Sequence, residues 1–245
     1  MQSVLITGAG GEIGRAIAKV FAKNGWALFL CGHSESSTAK ITAYAKELEE
    51  KYSVKAITAS LDVSSKEECF EAVSRAYDEF GCLDSVVNNA GVIEYSTLAR
   101  TREDDYRSVI SCNMNGVFFM MQAAFKVMRK NKSGSIVNVS SVAGINGCPG
   151  SGVYAASKGA VNAMTKTAAA EFAPYGIRVN AAAPGMIEGG MSGLLSAEQI
   201  ERSSQLIALK RFGRPEEAAE AVYFLASPKA SYITGAILTV DGGLL

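Results

Sequence analysis

The sequence predicts an α/β protein built on one doubly wound, mostly parallel sheet with helices on both faces. Seven short β-rich runs alternate with longer helical segments along the chain. Several of these runs are apolar on both faces, as strands covered by helices on each side must be. A glycine-rich turn joins the first run to the first helix, and no Pro/Ser-rich linker or internal repeat divides the chain. The 245 residues therefore read as a single domain.

Taken in order, strands are expected over 4–7, 27–31, 55–60, 85–88, 135–139, 178–182 and 236–240. Helices are expected over 13–24, 39–51, 66–80, 103–131, 153–175 and 215–226. Ser64-x-x-Glu67 has the form of a capping box before the third helix. Pro215 followed by Glu216 and Glu217 suits a first helical turn. Residues 186–214 break the alternation with glycines and one short amphipathic piece capped by Ser196-x-x-Gln199. A long irregular insertion of this kind is expected to be a substrate lid.

Composition narrows the function classes. Apolar residues make up 48% and charged residues 20%, and 24 Lys and Arg balance 24 Asp and Glu. A net charge of zero gives no reason to expect nucleic acid or an anionic membrane as a partner. No apolar run approaches the ~18 residues that span a bilayer. The five cysteines, Cys31, Cys69, Cys82, Cys112 and Cys148, lack metal-ligand spacing, so no metal site is expected. With no export signal visible, a cytoplasmic protein with free thiols is expected.

The chemistry-bearing residues fall into two groups. Tyr154 and Lys158 stand four apart, on one face of a predicted helix, with Ser141 upstream. An ammonium group near a phenol lowers its pKa and suits it to proton transfer. A serine hydroxyl from a separate segment can orient a carbonyl or alcohol beside it. At the other end of the fold, the first strand runs into Thr7-Gly8-Ala9-Gly10-Gly11-Glu12-Ile13-Gly14 and a helix. Backbone N–H groups at such a helix start stabilise a pyrophosphate. Asn88-Asn89-Ala90-Gly91 ends the fourth strand, where ligands bind in open α/β sheets.

These landmarks, with Asp62, Asn113 and Pro184-Gly185, occur in the order that resembles the short-chain dehydrogenase/reductase family over essentially the whole chain. Within it, the sequence looks most like 3-oxoacyl-(acyl-carrier-protein) reductases, through Tyr154–Lys158, Gly176–Asn180, Tyr232–Gly235 and Val240–Gly243. The resemblance implies a Rossmann-type sheet of seven strands and reduction of a 3-oxoacyl thioester. The alternatives are an NAD(P)-dependent dehydrogenase of another secondary alcohol (steroid, sugar or small alcohol) and a nucleotide-binding protein without turnover.

The resemblance also implies roles. Ser141 would position the substrate oxygen, Tyr154 would donate the proton, and Lys158 would hold the nicotinamide ribose. Asn113 would support a water that links Lys158 to solvent. The cofactor would be seated by Gly8, Gly10, Gly11, Glu12, Ile13 and Gly14, by Asn89, Ala90 and Gly91, and by Pro184, Gly185 and Ile187, with Asp62 and Val63 at the adenine. No acid precedes Glu35 at the end of the second strand, and His33 and Ser34 could bind a 2′-phosphate. NADP is accordingly expected ahead of NAD. The implied partners are a small ketone or alcohol, or an acyl thioester on acyl carrier protein, and the implied assembly is a homotetramer.

Three positions depart from the family pattern. Glu12 stands where a second glycine is usual, and is expected to cap the helix and pair with Arg15. Gly189 replaces a threonine that bonds the nicotinamide amide. Ala170, just before Glu171, replaces an arginine of the carrier-docking face, although Lys132 keeps a basic group near the other docking position.

Overall fold

The computed structural model describes residues 1–190 and 196–244. Its sheet contains β1 (Ser3–Ile6), β2 (Ala27–Gly32), β3 (Ala56–Ser60), β4 (Ser85–Asn88), β5 (Gly134–Val139), β6 (Ile177–Pro184) and β7 (Ile237–Val240). The strand order is β3-β2-β1-β4-β5-β6-β7, and every pairing is parallel. The sheet is thus the seven-stranded doubly wound one expected.

Its two faces are covered by different helices. On one face, α1 (Glu12–Lys23), α2 (Glu35–Tyr52) and α9 (Pro215–Ala226) bury Ile17, Phe21, Ile41, Val222 and Leu225 against Val4, Ile6, Leu28 and Leu30. Phe21, Trp26 and Tyr223 pack edge to face there. On the other face, α3 (Lys66–Phe80), α5 (Gly116–Asn131) and α7 (Gly152–Phe172) bury Val73, Met120, Met128 and Val161 against Leu5, Phe29, Val86 and Ile136. β1, β2, β4, β5 and β6 are buried on both faces, which is why several of the runs read as apolar on both. The edge strands β3 and β7 are partly exposed. Among the described residues, no helix is long and apolar enough to cross a membrane.

Several boundaries differ from expectation for local reasons. Helix α2 starts at Glu35, because Ser34 Oγ accepts the Ser37 N–H at 3.3 Å and caps it there. Helix α3 spans the expected residues, but its cap is Ser65, which accepts the Glu68 N–H at 3.2 Å. Ser64 is instead engaged with Asp62 Oδ1 at 2.8 Å. The helix expected over 103–131 is interrupted: α4 (Glu103–Ile110) passes through a π-helical turn, Ser111–Asn115, into α5. A short α6 (Ala143–Asn146) lies between β5 and α7. In the insertion, Ser196 and Gln199 form the expected capping box at the start of α8 (Ala197–Ser204). The lid reading of 186–214 falls partly on 191–195, outside the described residues.

The strand order reverses direction at β1, whose neighbours are β2 and β4. A crevice opens outside the carboxyl ends of strands at such a switch point. The segments after β1, β4, β5 and β6 all meet there.

Candidate active site

The turn after β1 and the end of β4 are clamped together. Thr7 Oγ1 accepts the N–H groups of Asn89 and Ala90 at 3.0 Å each. Asn89 Nδ2 returns the contact, donating to the carbonyls of Thr7 and Gly8 at 3.0 Å. So close an approach leaves no room for side chains. A Cβ on Gly8, whose φ is +64°, would stand 2.8 Å from Ala90 Cα, and one on Gly14 would overlap the Gly8 carbonyl oxygen.

A cavity of about 350 Å³ opens beside this clamp. Of the predicted residues, Gly8, Gly11, Glu12, Ile13, Gly14, Asn89, Ala90, Gly91, Ser141, Tyr154, Lys158, Pro184, Gly185 and Ile187 line it. Gly10, His33, Ser34, Asp62, Val63 and Asn113 do not. Gly10 faces the first turn of α2, where its Cβ would stand 3.1 Å from Ser37 Oγ. His33 is exposed at the end of β2, and Ser34 is occupied as the α2 cap. Val63 is buried, its side chain closing on Gly116. Partial burial pushes the Asp62 carboxyl up, but hydrogen bonds from the Ser64 hydroxyl and amide outweigh it and hold the group below its ordinary range.

Ser141, Tyr154 and Lys158 come together at one end of the cavity. Ser141 leaves β5 and is fixed by accepting the Ala143 N–H at 3.1 Å, and it lines the cavity together with Tyr154. Lys158, in the second turn of α7, is buried and donates from Nζ to the Val139 carbonyl at 2.8 Å. Burial lowers its pKa to about 8. The expected effect of Lys158 on Tyr154 is not realised in this arrangement. Nζ lies 5.8 Å from the phenol ring centroid, turned to the Val139 carbonyl. Burial instead raises the Tyr154 pKa, with the Ser141 hydrogen bond opposing.

Asn113 reaches this group from behind. On the π-helical turn it is fully buried, and its amide donates to Ser157 Oγ at 3.1 Å. Ser157 in turn donates to the Tyr154 carbonyl at 2.7 Å. Gly91 lies between the two: its Cβ would stand 3.3 Å from Lys158 Nζ and 3.4 Å from Asn113 Oδ1. The expected Glu12–Arg15 pair is replaced by other contacts. Arg15 stacks over the Tyr44 ring at 4.2 Å, and no ion pair joins it to Glu12 among the described residues. Gly11 takes the N-cap position, and Glu12 opens α1 with its side chain against Gly189.

Sequence reading passed over Thr7, Ser157, Ser140 and the Val139 carbonyl. Thr7 and Ser157 sit inside motifs already singled out, and that adjacency is a usable signal. Ser140, whose hydroxyl donates to the Lys158 carbonyl at 3.2 Å, is marked only by its position before Ser141. A backbone carbonyl such as that of Val139 leaves no mark in a sequence.

The family model described as enoyl-(acyl carrier protein) reductase matches residues 8–245. The 3-oxoacyl-[acyl-carrier-protein] reductase FabG of Thermotoga maritima is 42% identical over 241 residues, covering 98% of this chain and 96% of that protein. The corresponding reductase of Synechocystis sp. is 40% identical over 245 residues, covering 100% and 97%. Among solved structures, ElxO with NADP bound superimposes with a TM-score of 0.91 at 34% identity, covering 99% of this chain and 98% of that one. The chain belongs to the short-chain dehydrogenase/reductase family. It is an oxidoreductase that interconverts a carbonyl and an alcohol at the expense of a nicotinamide dinucleotide.

Proposed function

We propose that this enzyme reduces the ketone of a 3-oxoacyl thioester to the secondary alcohol with NADPH. One observation carries the reading: Ser141, Tyr154 and Lys158 line one end of the cavity that the glycine turn also lines. Two hydroxyls on the wall of one cavity suit a single substrate oxygen.

The residues present fit a dinucleotide. At Gly8, Gly14 and Gly91 any side chain would press on the facing wall, so a bare backbone edges the cavity. The uncapped N-terminus of α1, at Gly11, offers free N–H groups to a pyrophosphate. In this reading Asn89, Ala90, Gly91, Pro184, Gly185 and Ile187 flank the nicotinamide half and Lys158 holds its ribose. Asp62 and Val63 border the adenine, with His33 and Ser34 at the 2′-phosphate. The bound cofactor supplies a hydride to the carbonyl carbon.

The protein supplies the rest. Ser141 orients the carbonyl oxygen, and Tyr154 gives up its phenolic proton as negative charge develops on that oxygen. Tyr154 carries its proton at neutral pH as an ordinary phenol does, so it enters the reducing direction as the acid. Lys158 and Asn113 lie on the path by which the phenolate regains a proton from solvent. Support for the substrate class comes from the 3-oxoacyl reductases of T. maritima and Synechocystis sp.. The description of the matching family model raises enoyl thioester reduction as a second reading.

Titration with NADPH and NADH, followed by cofactor oxidation with acetoacetyl-CoA or crotonyl-CoA, tests both. Turnover of acetoacetyl-CoA with NADPH is expected. Turnover of crotonyl-CoA alone would move the assignment to alkene reduction, and no binding of either nucleotide would overturn it.

A further inference from the structure

Glu12 and Gly189, far apart in the chain, are in contact. Glu12 is in the first turn of α1, and Gly189 follows β6; both line the cavity. A Cβ built on Gly189 would stand 2.9 Å from Glu12 Cδ, 3.1 Å from Cγ and 3.2 Å from Oε1. The carboxylate therefore fills the volume that any side chain at position 189 would need. Gly189 and Gly190 have φ of +75° and +50°, a left-handed backbone that favours glycine, which lets the chain turn around the carboxylate. Glu12, Glu188 and Gly189 border both this cavity and a second depression lined with Arg15 and Tyr44.

We propose that Glu12 and Gly189 act as one unit that sets dinucleotide affinity. The carboxylate, resting on Gly189, lies at the α1 N-terminus that an incoming pyrophosphate would use. Two anions competing for one helix start repel, and binding requires the Glu12 carboxylate to keep to the space that Gly189 leaves open, clear of the pyrophosphate. The inference rests on the dinucleotide reading above and adds to it two positioning residues with linked effects.

NADPH dissociation constants for wild type, E12Q, E12D, G189A, E12G, E12D/G189A and E12G/G189A, at about 0.01 M and about 0.15 M ionic strength, test it. E12Q keeps the shape and loses the charge, and should bind NADPH about three- to tenfold more tightly at low salt, with the gain shrinking as screening rises. E12D keeps the charge but is one methylene shorter, so in E12D/G189A the alanine should cost less than it does in the wild-type background. G189A alone should weaken binding about tenfold, whereas in the E12G background it should cost less than about threefold. Thermal melts of each variant separate these shifts from loss of fold. Equal costs of G189A in both backgrounds, or an E12Q affinity unchanged at low salt, would overturn the coupling while leaving the cofactor assignment intact. If wild type binds neither NADPH nor NADH, the cofactor reading fails and this inference fails with it.

Discussion

Asn113 brackets the backbone of Val92 from both sides: Oδ1 accepts the Val92 amide at 2.8 Å and Nδ2 donates to its carbonyl at 2.8 Å. With the third bond to Ser157, one buried side chain ties the segment after β4 to the helix carrying Tyr154 and Lys158. Removing it leaves the part-buried amide and carbonyl of Val92 without their partner, each costing at most roughly 1–3 kcal/mol. Asn113→Ala should therefore lose about 2–4 kcal/mol in urea unfolding. Its kcat should fall further than its NADPH affinity, because Gly91 and Lys158 lose their shared neighbour. An unchanged unfolding midpoint would refute the bracket.

Tyr154→Phe deletes one oxygen from the end of the cavity and leaves the glycine wall untouched. Reduction of acetoacetyl-CoA should fall by about 10²–10⁴, the usual worth of a general acid, while the NADPH dissociation constant stays within about threefold. Fluorescence titration and initial rates on the same preparation check both halves.

The buried ammonium of Lys158 gives a pH signature. Its pKa is about 8 in the fold against 10.5 ordinarily, so below about 8 it is charged in both the folded and the unfolded chain. Between these values the unfolded chain binds more protons, and this group makes stability rise with pH across that window. Below about 8 the burial penalty is fully present. Lys158→Met should thus raise the melting temperature near neutral pH, with the gap closing towards about pH 10.5. The wild-type reduction rate should fall on the alkaline side as Lys158 loses the proton it relays. A flat alkaline limb would remove Lys158 from the relay.

The outer surfaces of α5 and α7 form an apolar groove. Phe118 is 43% exposed there, next to Phe125, Met164 and Phe172, with Phe125 stacked on Phe172 at 4.4 Å. If the family likeness holds for assembly, these two helices form the dimer face within the tetramer, and this groove is what that face would bury. Phe118→Glu should then shift the mass measured by light scattering to a smaller species without changing the far-ultraviolet circular dichroism. An unchanged mass would place the interface elsewhere.

The central strands are legible because a strand buried on both faces must be largely apolar, and α9 because Pro215 and two glutamates mark its first turn. Other features depend on contacts that no local pattern records. The apolar periodicity of 103–131 runs straight through the π-helical turn, which coincides with the Asn113 contacts to a loop elsewhere in the chain. Ser64 and Ser65 are equally good caps by type, and the choice between them rests on Asp62 holding Ser64. Glu12 and Gly189 each looked like an isolated departure from a pattern. Only the fold reveals that they touch.

The Ser111–Asn115 turn has a further meaning for how this chain can vary. A π-helical turn holds one more residue than the α-helical ladder needs. Loss of a single residue there would restore a regular helix and swing α4 by about 100° relative to α5. Asn113 would be carried away from Val92. Loops elsewhere tolerate changes of length, but here, in the middle of a helix, residue count is itself a constraint. The spacing from Glu103 to Gly116 is therefore as much a part of the catalytic specification as the side chains it carries.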